Sequence, residues 1–224
     1  NNLSNRNLII NGAMQVAQRG TSASATGYQT VDRFEGSFGA TDETPTQSQV
    51  DVASGTTPYT LGFRKAFRLT NGNQTGGAGS SDYVGYIYHV EAQDIANSGW
   101  NYTDPNSFIT LSFWVKSSVA QAFSGSMRTV DGSVYHYKYD TPTLSADTWT
   151  KVTKVIPGNS NIQIDSNSDK GFTFSLFGFI GTNFTSSNSD TETWLAYSIN
   201  KFANVMASTW YTTNDATLEI TGVQ

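Results

Sequence analysis

The chain has 224 residues and a net charge of −5, and only 14% of its side chains are charged, against about 25% in an ordinary globular protein. It lacks cysteine, which excludes thiolate metal sites, disulfides and thiol nucleophiles. It lacks the clustered Lys and Arg that phosphate binding needs, which excludes nucleic acid, and no apolar run approaches the roughly 20 residues that cross a bilayer as a helix.

Period-two alternation dominates the chain. The opening run Asn7-Leu8-Ile9-Ile10 reads as a strand that breaks at Asn11-Gly12, and the closing run Thr217–Thr221 ends likewise in Gly222-Val223-Gln224. That pairing places the two termini in one sheet. Between them, strands are expected at 66–70 and 83–91, followed by a single helical turn within 90–96. In the next strand Ile109, Leu111, Phe113 and Val115 form an apolar face, while Thr110, Ser112, Trp114 and Lys116 form the other. A strand is expected at 133–139, and another at 149–156 with Val152 and Ile156 inward and Trp149, Lys151 and Thr153 outward. Pro157-Gly158 ends the latter in a turn. Strands at 172–180 and 216–223 complete the set. Ile199, Phe202, Ala203 and Met206 sit at helical spacing and predict a short amphipathic helix. Gly- and Asn-rich breaks separate these elements, no linker divides the chain, and residues 1–224 read as one domain.

Three motifs occur in order: NLIINGAMQVAQRG at 7–20, SFWVKSS at 112–118 and TLEITGVQ at 217–224. Together they resemble a domain used repeatedly in phage tail fibres and related virion proteins, itself similar to carbohydrate-binding jelly rolls. The resemblance implies an all-β fold: a jelly-roll β-sandwich of two antiparallel sheets with at most one or two short helices. It also implies a location on the virion, as a fragment or C-terminal part of a longer virion protein, in contact with other virion proteins and assembled as a homotrimer. The implied partner is a glycan of the host cell surface, stacked on aromatic side chains in a groove where a sheet curves.

Trp114 is the sharpest single residue, an aromatic on the polar face of its strand, where it can stack on a sugar ring or pack under a loop. Tyr135, Tyr137 and Tyr139 share one face of a strand, with His136 and Lys138 on the other, and offer either a glycan ladder or a packing cluster. Trp100 and Tyr102 follow Gly99 in a loop, as ligand contacts or as a plug for the end of the sandwich. Asp165, Asn167 and Asp169 alternate oxygen ligands like the start of a calcium loop, but Gly171 comes one place late and Leu176 stands where the bidentate Glu belongs. The two histidines, His89 and His136, and the acid pairs Glu91/Asp94 and Asp190/Glu192 have no hydrolase context. The reading is therefore a non-enzymatic attachment domain with no cofactor and no metal. The alternatives are a structural virion domain without a ligand and, behind it, a polysaccharide depolymerase domain.

Overall fold

The computed structural model describes residues 7–186 and 190–224. In chain order the strands begin with β1 (Ser22–Ala23), β2 (Phe34–Gly39), β3 (Thr46–Asp51), β4 (Lys65–Thr70) and β5 (Tyr83–Glu91). They continue with β6 (Phe108–Ser117), β7 (Ser124–Thr129), β8 (Tyr135–Asp140), β9 (Thr150–Pro157) and β10 (Lys170–Ile180). The last are β11 (Thr185–Ser186), β12 (Trp194–Ala196), β13 (Ala203–Asn204) and β14 (Thr217–Thr221). One six-stranded sheet runs β1-β3-β4-β14-β6-β9, the other β12-β8-β7-β10-β5-β2, and every pairing within them is antiparallel. The chain crosses repeatedly from one sheet to the other, and the result is a jelly-roll β-sandwich.

Alternation decides which side chains fill the space between the sheets. From the first sheet come Phe67, Leu69, Leu111, Phe113, Val115, Val152, Leu218 and Ile220, all buried. From the second come Val84, Tyr86, Tyr88, Met127, Tyr137, Tyr139, Phe172, Phe174 and Leu176. The tyrosines among them reach partners across the core. The Tyr86 hydroxyl donates to the backbone carbonyls of Leu218 and Phe67 and accepts from the Leu69 amide at 3.2 Å, so β5 is tied directly to β4 and β14.

Two departures from the sequence expectation have local causes. The opening run is a loop rather than a strand: Asn11 and Met14 take positive φ values of 60° and 57°. The Asn11 side chain holds this turn, accepting from the Val16 amide at 3.0 Å and donating to the carbonyls of Val16 and Asp32 at 2.9 Å. The Val223 amide donates to Gly12 O at 3.0 Å, so this loop still meets the C-terminal end. The first strand of that sheet is β1 instead.

The helix expected around residues 199–206 is a 3-10 turn at Ile199–Lys201 followed by β13. Phe202 there packs edge-on against Phe177 of β10, centroids 5.5 Å apart, so its apolar spacing serves the second sheet and not a helix face. The turn expected within 90–96 forms as α2 (Ala92–Ala96), alongside α1 (Thr57–Thr60) and α3 (Thr209–Thr212), each a single turn.

Candidate functional site

The first sheet turns one face to the core and the other outward. On β6 the outward side chains are Phe108, Thr110, Ser112, Trp114 and Lys116; on its partner β9 they are Lys151, Thr153 and Val155, with Trp149 just before the strand. Trp114 lies opposite Lys151 in the ladder. One step further, Lys116 Nζ stands 5.3 Å from the centroid of the Trp149 ring. Tryptophan and lysine therefore alternate on a square: each ring faces an ammonium across the strands, and the two rings occupy the diagonal. Diagonal neighbours on a sheet are about 7–8 Å apart, within reach of side chains this large. A cation over an indole face is attracted to its π density, which holds the Trp149 ring in place.

Beside this square the central strand β14 presents Glu219, which is 1% exposed. Its carboxylate accepts from Arg68 of β4 at 2.7 Å and from Lys116 at 3.0 Å. Two partly solvated cations thus neutralise one buried anion, and the long side chains of β4 and β6 roof the middle of the sheet. At the other end of β6 and β9, Phe108 and Val155 are 58% and 57% exposed. At roughly 3.3 Å per residue, the strip from Trp149 to Phe108 is about 26 Å long. It carries flat apolar surface and hydrogen-bonding groups together, on a rigid element.

Trp114 thus stands on the outer face, half-buried, as its alternation requires. The tyrosine ladder faces the other way. Tyr137 and Tyr139 are 3% and 0% exposed, belong to the core and offer no surface to a glycan, and Tyr135, partly buried, packs against the same core. The reason is the covering of the second sheet: its outer face is also buried, and the larger, more apolar set took the inner side. Tyr139 donates to Ser175 O at 2.7 Å and stacks on Phe174 with centroids 6.5 Å apart. A Cβ on Gly125 would stand 2.5 Å from the Tyr139 ring, which is why glycine occupies that position opposite.

Trp100 and Tyr102 pack together at the end of the sandwich, centroids 6.2 Å apart. Trp100 rests on Phe172 at 5.8 Å and donates its Nε1–H to Ser107 O at 3.2 Å. With Ile95, Phe108 and Phe172 it lines a cleft of about 460 Å³ that opens between the sheets. A chain of rings leads from Trp100 through Phe172 and Trp194 to Tyr137, with steps of 5.8, 6.0 and 5.5 Å. It runs through the core, and Trp114 has no part in it.

The 165–169 segment is tied to the backbone around it. Asn167 Oδ1 accepts from the Asp169 amide at 3.0 Å, and the carbonyls of Asn167 and Asp169 accept from Gln93 and Ala92 at the start of α2. Among the described residues no three His, Cys, Asp or Glu side chains converge as a metal site would require. Sequence reasoning did not select Trp149 or Phe108, although both fall at the outward parity of their strands.

No family model and no curated protein matches this chain. Among solved structures it is similar to the enzymatically active domain of tailspike protein 4 of bacteriophage CBA120, at 11% identity and TM-score 0.47, covering 97% of this chain and 21% of that one. It is also similar to the N-terminal cellulose-binding domain of Cellulomonas fimi β-1,4-glucanase C, at 12% identity and TM-score 0.40, covering 93% and 95% of the two chains. A third is a family 16 carbohydrate-binding module, at 13% identity and TM-score 0.36, covering 80% and 83%. The chain spans about a fifth (21%) of the tailspike chain. At this identity the likenesses bear on nothing beyond the fold, which the sheet order establishes by itself.

Proposed function

We propose that this chain is a non-catalytic glycan-binding domain of a phage tail fibre or similar virion appendage, and that it attaches the particle to the host surface. The observation that carries the reading is the outward square of Trp114, Lys151, Trp149 and Lys116. Flat rings fixed on a rigid sheet stack on pyranose faces, and the flanking ammonium groups and the Thr110 and Thr153 hydroxyls hydrogen-bond the sugar's edge. Single contacts of this kind are weak. Trimeric assembly and many copies per particle, both expected from the tail-fibre resemblance, raise the avidity by linking them.

The test is a glycan array with the isolated domain, followed by titration of the best glycan against Trp114→Ala and Trp149→Ala. Loss of a stacking anchor costs about 2 kcal/mol, roughly thirtyfold in affinity, with folding intact. Unchanged binding by the double variant removes the site, and release of shortened glycan removes the non-catalytic assignment.

The exposure of Phe108 and Val155 favours a second reading, a joining domain within the appendage. Their side chains make no hydrogen bonds and suit a protein neighbour better than a sugar. A trimer that buries them, with an empty glycan array, selects this reading.

A further inference from the structure

The outer face of the second sheet carries a row of polar side chains that the tryptophan strip does not use. His89 on β5, Thr173 on β10, Arg128 on β7 and His136 on β8 lie directly opposite one another in successive strand pairs. The 191–206 segment crosses this face. Its Tyr197 ring meets His136 edge-on at 5.7 Å, and the Arg128 guanidinium lies 5.3 and 5.4 Å from the centroids of Tyr197 and Phe202.

Three features of the row are unusual for a structural surface. Arg128 Nε is buried without a hydrogen-bond partner, and His136, 0% exposed, has neither ring nitrogen bonded among the described residues. Buried polar groups are nearly always paired, because each open one costs about 1–3 kcal/mol. Arg128 also enters none of the ion pairs among the described residues, which join Arg33, Lys65, Arg68, Lys116 and Lys154 to carboxylates.

The electrostatics agree. Burial lowers both imidazoles to about 4, and the charges that add to this are all cations: Lys170 and Arg128 at His89; Lys138, Lys201 and Arg128 at His136. The nearby acids are engaged with the lysines and with Asn204. Asp140 accepts from Asn204 Nδ2 at 3.0 Å, Asp190 acts on Lys138, and Glu35 acts with Lys170.

The geometry points to a binding site for the carboxylate of an acidic saccharide, anchored by Arg128 between its two aromatic walls and flanked by His89 and Thr173. A guanidinium fork matches a carboxylate in two parallel hydrogen bonds. The neutral imidazole of His89, half-buried and oriented by its 3.0 Å contact with the Thr173 hydroxyl, offers an uncharged partner for a sugar hydroxyl. One guanidinium fork, beside lysines that Glu35, Asp140 and Asp190 already face, suits a single anionic group. It does not suit a nucleic-acid backbone, which demands several aligned cations. This site lies on the opposite sheet from Trp114 and does not rest on the glycan reading of that strip.

The experiment follows the arginine Nε–H resonances of the ¹⁵N-labelled wild-type protein during titration with tetragalacturonate, neutral galactotetraose, free galacturonate and acetate. The Arg128 resonance is expected to shift and saturate with tetragalacturonate, to respond more weakly to free galacturonate, and to ignore galactotetraose. The exposed Arg19 serves as the control. Arg128→Gln should weaken tetragalacturonate binding tenfold or more, Arg128→Lys should recover part of it, and Trp114→Ala should leave the Arg128 response intact. The proposal falls if Arg128 shifts no more than Arg19, if neutral and acidic sugars bind alike, or if acetate binds as tightly as tetragalacturonate. Loss of the response in Trp114→Ala would overturn the independence of the two sites.

Discussion

Replacing Tyr139 by alanine separates the two roles a tyrosine ladder can have. The side chain is 0% exposed, lies between Phe113 and Phe174 at centroid distances of 6.4 and 6.5 Å, and donates to Ser175 O at 2.7 Å. Truncating a fully buried ring costs about 3–5 kcal/mol through lost transfer energy and the cavity left behind. Removing the hydroxyl alone, in Tyr139→Phe, costs about 0.5–1.5 kcal/mol, since one neutral hydrogen bond is lost and the ring keeps its packing. For a domain of this length 1 kcal/mol moves the melting midpoint by about 2–4 °C, so alanine lowers it by about 6–20 °C and phenylalanine by about 1–6 °C.

Differential scanning calorimetry, checked by urea unfolding, measures both. The surrounding ring cluster makes a second variant informative. Gly125→Ala drives a methyl into the Tyr139 ring and destabilises the wild type, and combining it with Tyr139→Ala should be less damaging than the two changes added together. The relief is partial because Ser175 O also crowds that position. A Tyr139→Ala protein that melts within about a degree of wild type would refute the core assignment, and loss of glycan binding in a stable variant would restore the ladder as a ligand surface.

Stability should also respond to pH through the histidines. His89 and His136 are lowered from their ordinary 6.5 to about 4, by burial first and then by neighbouring Lys and Arg. The folded state therefore disfavours the proton that the unfolded chain accepts near 6.5. The stabilisation is complete above that value, fades as the pH falls toward about 4 and falls no further below it. In melting curves taken across this window, His136→Leu should give a shallower decline than wild type; an identical decline would show that His136 titrates normally. Glu219→Gln should destabilise by about 2 kcal/mol, below the full cost of breaking a buried pair because Arg68 and Lys116 keep some solvent, and urea midpoints would report it. A variant as stable as wild type would mean that the two cations are satisfied by water alone.

The strands with strong contrast between their faces were legible in the residues. In β6, Leu111, Phe113 and Val115 against Ser112, Trp114 and Lys116 leave one arrangement that buries the apolar set, and β9 repeats the logic with Val152 and Ile156. Trp114 and its outward position follow from that alternation alone. Strands β2, β3 and β7 were not legible. Their sequences FEGSFG, TQSQVD and SGSMRT have little apolar periodicity, and they are strands because their neighbours supply the ladder.

Sequence by itself determined the two-layered all-β class, the chemistry excluded by missing cysteine and clustered charge, and the parity of each strong strand. Tertiary structure decided which parity faces water. In Tyr135-His136-Tyr137-Lys138-Tyr139 the alternation divides the side chains into two sets but cannot say which lies inward, because the 191–206 segment buries the second sheet's outer face as well. In that segment a helical spacing became a strap, while the pairing of β5, β10, β7 and β8 gathered two distant histidines beside Arg128. Parity is a property of one chain segment, whereas burial depends on what another segment lays across it, and only the folded whole contains that second fact.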